Sequence, residues 1–282
     1  MASITAADVM KLRHMTNAPM MDCKAALEKA GGDFQKAIQI LREQNKTISS
    51  KKAERETAEG RIGIYVGTAA GVAGIIEVRC ETAPVVKSDP FIQLASDLAR
   101  HVAMVPQLPG SVEELLQQAY VDGGGRTVRD RLEETIGIIR ENMRIARFAR
   151  LQGGAVGGYL HFNGSVATIV QAEGTPKNPE VLKEIAMHIT AMQPVALSRE
   201  EVPLDVMERE KQIARTQAEQ TGKPPQIVEK IAEGKLRTWL SENVLLEQKF
   251  FKDDSKTIGQ LAKENNITLR RYIRFKVGEL TS

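Results

Sequence analysis

The 282-residue sequence has only two cysteines, 4% aromatic residues and no hydrophobic run as long as a membrane-spanning helix. Cys23 and Cys80 lie far apart without paired spacing, which argues against both a disulfide framework and a zinc site. A spanning helix needs about 20 consecutive apolar residues, and the first residues show no export signal. The sequence therefore predicts a cytoplasmic protein that contacts no membrane.

The charge imbalance is also small: the sequence has 39 Lys and Arg residues and 36 Asp and Glu residues, which gives a formal net charge of +3. The two signs are interspersed, so the small basic excess is only weak evidence for nucleic-acid binding. The Arg-rich stretch RENMRIARFAR at 140–150 keeps a nucleic-acid-binding helical protein open as an alternative. Such a protein would bind DNA or RNA with a steep dependence on salt.

Motifs for catalysis and nucleotide binding are missing as well. The sequence has no G-x-x-x-x-G-K-[ST] loop and no G-x-G-x-x-G after a predicted strand. The histidines lack metal-ligand spacing; they are His14, His101, His161 and His188. Cys23 lies within a predicted helix, where a structural role is favoured over a catalytic nucleophile. We therefore predict no catalytic residue, no metal site and no cofactor.

Residues 1–44 predict three short helices, and residues 45–60, which have few apolar side chains, predict a linker. Residues suited to helix ends mark the three helices. They are Thr5 with Asp8, Pro19, Gly31 and Asp33. The predicted shared core consists of Val9, Leu12, Met20, Leu27, Phe34, Ile38 and Leu41.

A weak internal repeat follows, and each copy predicts a strand, a second strand and a helix. RIGIYVG, GIIEVRCET and LARHVAMVP in the first copy correspond to GGYLHF, SVATIVQAEGT and IAMHITAMQP in the second. Asn163-Gly164 predicts a hairpin turn in the second copy. Alternation in the first copy places Cys80 on the core face and Glu77 on the opposite face. Between the copies, helices are predicted at 111–120 and 127–143.

The first copy is longer than the second because of a predicted loop at 82–88, which begins Thr-Ala-Pro-Val. Asp89 followed by Pro90 predicts the start of the next helix. Exposed loops on a rigid scaffold often carry function, and a plain connector is the alternative.

Residues 200–240 predict an antiparallel helical hairpin whose turn is Gly222-Lys223-Pro224-Pro225. A loosely structured linker is the alternative, because the predicted apolar stripe of the hairpin is thin. The stripe consists of Val206, Ile213, Ile227 and Ile231. A helix near 255–265 and a final strand, RYIRFKVG, complete the chain, and the strand is predicted to rejoin the sheet of the second copy. The predicted fold class is α+β.

Several motifs in the same order resemble the bacterial elongation factor Ts family. LRHMTNAPMMDCKAALEKAGGDFQKAIQILR at 12–42 is similar to the opening signature of that family, L-R-x-x-T-G-A-G-M-M-D-C-K-x-A-L. IAMHITAMQP, the G-K-P turn, LLEQKFFKDDSKTIGQL and RFKVGE match in order. The resemblance covers essentially the whole chain.

The resemblance also implies a division of the chain. A ubiquitin-associated-like helical module at 1–44 and the linker at 45–60 precede core subdomain N at 61–150. Core subdomain C comprises 151–198 and 245–282. An antiparallel coiled coil at 199–244 is inserted into it.

By resemblance, the chain is a translation elongation factor that binds elongation factor Tu, both GDP-bound and nucleotide-free. It would promote GDP release by displacing elements of the magnesium and phosphate site, without covalent catalysis and without contacting nucleic acid. Docking on the G domain is implied for Arg13, Met20 and Met21, and a contact from core subdomain C for His161. A homodimer or a heterotetramer with the partner is compatible with this family.

The chain departs from the family at the segment that the family inserts near magnesium. Thr82, Ala83, Pro84 and Val85 correspond to the usual Thr-Asp-Phe-Val, so neither the carboxylate nor the aromatic ring is present. We hypothesise that Pro84 and Val85 form a stiff apolar wedge, since proline fixes φ. Asn17 and Pro19 likewise replace two usual glycines. The remaining alternative is an interaction scaffold that binds the partner and leaves GDP release unchanged.

Overall fold

The computed structural model describes residues 4–279, so the ends of the predicted first and last segments, 1–3 and 280–282, lie outside the described residues. Three helices come first, α1 at Ala6–Thr16, α2 at Met20–Ala30 and α3 at Phe34–Lys52. Thr5 and Asp8 form a reciprocal capping box, and Gly31 ends α2 with φ 64°. The predicted helix ends are thus confirmed for this module.

The core of the three-helix module differs from the predicted one at Met20, whose side chain is 43% exposed. Small residues occupy the space between the helices instead, including Cys23 and Ala26, both fully buried. In addition, α3 continues to Lys52, because residues 45–52 contain neither glycine nor proline to end it. About half of the predicted linker is therefore helical.

The first copy of the repeat begins a three-stranded antiparallel sheet, in the order β1-β2-β3. Its elements in chain order are β1 at Glu59–Gly67, β2 at Val72–Cys80, α4 at Ala83–Val86, α5 at Asp89–Met104, α6 at Val112–Gln117, α7 at Val128–Ile139 and β3 at Met143–Gln152. The predicted helix at 127–143 ends early, because Arg140 adopts φ 66°. The Arg-rich stretch that suggested a helical nucleic-acid-binding protein is mostly strand.

The second copy forms a matching antiparallel sheet, in the order β4-β5-β8. Its elements are β4 at Ala155–Leu160, β5 at Val166–Gly174, α8 at Val181–Met192, α9 at Leu204–Glu219, α10 at Pro225–Asn243, β6 at Lys249–Phe250, β7 at Asp253–Thr257, α11 at Ile258–Glu264 and β8 at Ile267–Lys276. The internal repeat and the return of the final strand to the second sheet are confirmed.

The two sheets pack face to face, with helices on their outer faces. Ile75 of β2 lies in the apolar cluster between the sheets together with Ile169 of β5. The next residue, Ile76, points the other way and packs with Leu94 and Leu98 of α5. A Cβ at Gly63 would lie 2.1 Å from the Ala95 carbonyl oxygen, so α5 can approach β1 this closely only at a glycine.

This double burial corrects the prediction for Glu77. Its side chain points towards the second sheet instead of solvent, and the residue is only 2% exposed. The alternation of side chains was correct, but the face opposite the predicted core face is itself covered, by β8 and the residues that follow it. Gly278 N–H, for example, donates to Glu77 Oε1 at 2.9 Å.

Helices α9 and α10 form the predicted hairpin, and the linker alternative is wrong. Gly222 in the turn has φ 67°. The seam between the helices differs from the predicted stripe, since Ile213 and Ile227 are 42% and 45% exposed. Small side chains line the seam instead, which lets the helices approach closely. They are Ala214, Ala218, Val228 and Ala232.

Each copy of the repeat buries one histidine in the same hydrogen-bond arrangement. His101 Nε2 lies 3.0 Å from Gln118 Oε1, and His188 Nε2 lies 3.0 Å from Gln248 Oε1. In both rings Nδ1 accepts a backbone N–H, from Val121 and from Phe251. Each ring is therefore neutral with its proton on Nε2, which agrees with a packing role.

Acid is expected to destabilise the fold through these two rings. Burial lowers the pKa of both His101 and His188 below the ordinary histidine value. As pH falls through about 6.5, the unfolded chain binds protons that the folded chain does not, so stability decreases. We expect the unfolding free energy at pH 5.5 to be roughly 1–2 kcal/mol lower than at pH 7.5.

Urea titrations at the two pH values measure this difference. A His101→Gln, His188→Gln double variant should lose most of the pH dependence. The control variant His14→Gln, at an exposed position, should retain it. Equal pH dependence in the double variant and the control would show that the buried rings are not responsible.

Candidate functional site

The segment predicted as a loop at 82–88 contains the short helix α4, and Thr82 precedes it as the N-cap. Helix α5 begins at Asp89 as predicted, although Ser88 is its N-cap residue. Ala83 and Pro84 are exposed, whereas Val85 is 8% exposed and belongs to the core cluster beneath α5. The structure therefore removes Val85 from the predicted wedge. We refer to the exposed residues Thr82, Ala83 and Pro84 as the tip.

The tip is joined to buried structure on both sides. Before it, Cys80 is fully buried, and its Sγ lies 3.5 Å from the Thr82 carbonyl oxygen. Burial raises the pKa of the Cys80 thiol to about 12, so it is not a reactive nucleophile at neutral pH. After the tip, Val85 packs into the core. The exposed part is thus a short segment that is held at both ends by buried residues.

The residues predicted to dock on a partner from the N-terminal module are all exposed. Met21 is 72% exposed and Met20 is 43% exposed, both in the first turn of α2. Arg13 of α1 is exposed and lines a cleft of about 880 Å³ that Pro90 of α5 also lines. Exposed methionines provide an adaptable apolar contact surface.

Cys23, two residues after Met21, is fully buried, and its thiol donates to the Ala18 carbonyl oxygen at 3.5 Å. Burial raises the pKa of this thiol, which supports the structural interpretation over a nucleophile.

His161 lies just after β4 and is half-buried, with Nδ1 3.1 Å from the Tyr159 hydroxyl. Its neighbour Phe162 was not predicted as a site residue, yet this side chain is 86% exposed. The two rings lie 4.6 Å apart between centroids. An aromatic residue beside the Asn163-Gly164 turn is the sequence signal that identifies it. The turn is fixed to β1, since Ile62 N–H donates to Gly164 O at 2.8 Å.

The structure brings two of the three predicted contact regions to one corner. Asp22, beside Met21, forms an ion pair with Arg140, and the next residue, Glu141, accepts a hydrogen bond from Thr82 Oγ1 at 2.6 Å. Helix α2, through Asp22, and the tip, through Thr82, are therefore bonded to the same turn. Within residues 4–279, no side-chain hydrogen bond or ion pair joins His161 to this corner.

Residues 4–279 contain no group of three or more His, Cys, Asp and Glu side chains arranged to hold a metal ion. Over the same residues, no helix is both long and apolar enough to cross a membrane.

Comparison with known proteins adds family membership to this geometry. The family described as Elongation factor TS matches residues 81–279. The chain is 41% identical to Elongation factor Ts of Thermobifida fusca (strain YX), over 99% of this chain and 100% of that protein. It is 39% identical to Elongation factor Ts of Aquifex aeolicus (strain VF5), over 99% of each. Matches over essentially full length at this identity show that the chain belongs to the elongation factor Ts family of translation elongation factors.

Proposed function

We propose that the chain binds elongation factor Tu and promotes release of its GDP without making or breaking covalent bonds. The observation that carries this proposal is the corner at which the exposed tip and helix α2 are bonded to one turn, α2 through Asp22, which lies beside the exposed Met20 and Met21. A partner that docks on the methionines meets the tip at a position fixed by the hydrogen bonds of Thr82. Such an arrangement suits mechanical displacement of the partner's structural elements that lie next to the docked tip.

The physical requirement for exchange is differential binding. A factor that binds nucleotide-free partner more tightly than GDP-bound partner must, by linkage, weaken GDP binding by the same factor. Each ~1.4 kcal/mol of difference corresponds to tenfold. Displacement of the elements around magnesium and phosphate supplies this difference. Ala83 has no carboxylate, so the tip acts by shape instead of competing for the magnesium water shell.

The proposed docking contacts on the G domain are Arg13, Met20 and Met21. His161 is a second contact, and we add Phe162 because its ring is 86% exposed on a fixed turn. We propose that the partner is a protein and not nucleic acid, since arginines of β3 are engaged within the chain. Arg144 Nε donates to Thr57 Oγ1 at 2.7 Å, and Arg147 Nε donates to Glu77 Oε2 at 2.7 Å.

Replacement of the tip residues Ala83 and Pro84 with glycine tests this proposal. An Ala83→Gly, Pro84→Gly variant removes apolar contact area and the fixed φ of proline, so it should slow stimulated GDP release by about three- to tenfold. Stopped-flow release of fluorescent GDP from cognate elongation factor Tu is the measurement. Val85 is left in place because its replacement would disturb the core.

The matched control is Pro179→Gly, at an exposed proline in the loop before α8. This variant should stimulate GDP release from elongation factor Tu at the wild-type rate. A wild-type chain that binds the partner and leaves GDP release unchanged would contradict exchange activity and favour the interaction scaffold. Unchanged release with the glycine variant would contradict the role of the tip.

A further inference from the structure

The turn between α7 and β3, residues 140–142, is held in a conformation that its sequence does not favour. Arg140 adopts φ 66°, and its N–H donates to Ile136 O at 2.8 Å. Left-handed backbone is unfavourable for a residue with a Cβ. Contacts of the turn with its surroundings must therefore stabilise it.

Glu141 makes the first of these contacts. Its carboxylate accepts two hydrogen bonds from Thr82, one from Oγ1 at 2.6 Å and one from the backbone N–H at 3.0 Å. Hydrogen bonds to an ionised carboxylate are short and stronger than neutral ones. In return, Glu81 Oε1 accepts the backbone N–H of Asn142 at 2.5 Å. The start of the tip and the turn are thus bonded in both directions.

Arg140 and Asn142 bind two other segments. The guanidinium of Arg140 pairs with Asp22, in the same helical turn as Met20 and Met21. The side-chain amide of Asn142 donates to the carbonyl oxygens that follow α3, at 2.7 Å for Arg55 and 3.3 Å for Ala53. One turn therefore contacts the tip, the docking helix and the connection between the module and the core.

We propose that the 140–142 turn is a positioning device, which fixes the tip relative to the docking surface of α2 and thereby sets the maximal rate of exchange. This inference rests on the proposed exchange function. Glu141 is the residue that positions the tip, and Arg140 is the residue that positions the docking helix. Neither residue is assigned a contact with the partner.

The two positioning residues should affect different kinetic quantities. Without Glu141, docking through Met20 and Met21 persists while the tip loses its fixed position, so the maximal rate falls. Without the Arg140–Asp22 pair, the docking helix is less well oriented, so a higher concentration is needed for the same rate. A purely structural role would lower the maximal rate, raise the half-maximal concentration and lower the melting temperature together.

The first test uses the free protein, so it does not depend on the partner. In Glu141→Ala, exchange of the hydrogen-bonded amides of Thr82, Lys87 and Ser88 should be about tenfold faster than in wild type, because the loss of two charge-assisted bonds favours local opening of the segment. Thr82→Val, which removes only the hydroxyl donor, should give a smaller increase. Glu113→Ala, which removes an exposed ion pair with Arg129, should leave these amides unchanged. Unchanged exchange in Glu141→Ala would overturn the inference.

The second test measures GDP release from elongation factor Tu against chain concentration. Glu141→Ala should lower the maximal rate by about tenfold and change the half-maximal concentration by less than about threefold. Arg140→Ala should mainly raise the half-maximal concentration, and the charge-exchanged double variant Asp22→Arg, Arg140→Asp should restore it. Wild-type kinetics in Glu141→Ala would overturn the inference and leave the proposed function standing. Absence of stimulation by wild type would overturn the proposed function itself.

Discussion

Replacing Met20 and Met21 together with alanine is expected to raise the concentration for half-maximal GDP release by roughly 30- to 100-fold, as expected for two apolar anchors of an interface. Both side chains are already exposed in the free chain, at 43% and 72%. Their removal therefore loses contact with the partner and little packing within the module. The maximal rate at saturating concentration should change much less, because the tip is intact.

The matched control is Met192→Ala, at the end of α8, where the side chain is 48% exposed. It should leave both kinetic quantities unchanged, and circular dichroism should show that all variants retain the wild-type fold. A half-maximal concentration unaffected by the double replacement would place the docking surface elsewhere.

Removal of the Glu77 carboxylate has the largest expected effect on stability. Glu77 is 2% exposed and accepts hydrogen bonds from Arg79 at 3.1 Å, Arg147 at 2.7 Å and Gly278 N–H at 2.9 Å. Arg147 also donates to the Lys276 carbonyl oxygen at 2.8 Å. The carboxylate thus joins both sheets. Its loss leaves the largely buried guanidinium groups of Arg79 and Arg147 without their acidic partner.

We expect Glu77→Ala to lower the free energy of unfolding by about 3–5 kcal/mol, the usual cost of breaking one side of a buried ion pair. Urea denaturation of the whole chain measures this value. Glu173→Ala is the control, because both Glu173 and its partner Arg270 are exposed, and it should leave the free energy of unfolding nearly unchanged. Equal effects of the two replacements would contradict the role of Glu77 as a buried link.

The features that sequence predicted correctly are set by short-range interactions. The Thr5 capping box, the Gly31 helix end and the Gly222 turn each depend on a few neighbouring residues. The burial of Glu77, in contrast, depends on a second sheet, which the alternation within β2 alone does not reveal. Strand β3 was missed because arginines interrupt its apolar residues, and these arginines are used in contacts between segments far apart in sequence.

The candidate site was predictable in location more than in detail. The length of the 82–88 segment and the family resemblance located the tip, but not the short helix α4 that turns Val85 into the core. The resemblance named Met20 as a docking residue, whereas periodicity placed it in the core. Met20 is 43% exposed, which is compatible with a docking residue and not with a core residue. The 140–142 turn was not predicted, because its contacts join residues about 60 to 120 positions apart.

The central claim is that surface fit, through a tip and a docking helix held at one corner, favours the nucleotide-free partner. Calorimetric titration of the chain into elongation factor Tu, once free of nucleotide and once saturated with GDP and magnesium, tests it most directly. The account predicts clearly tighter binding to the nucleotide-free form, with the ratio of the two dissociation constants reduced in the Ala83→Gly, Pro84→Gly variant. Equal dissociation constants for the two forms would contradict it, because linkage then leaves the chain no means of weakening GDP binding.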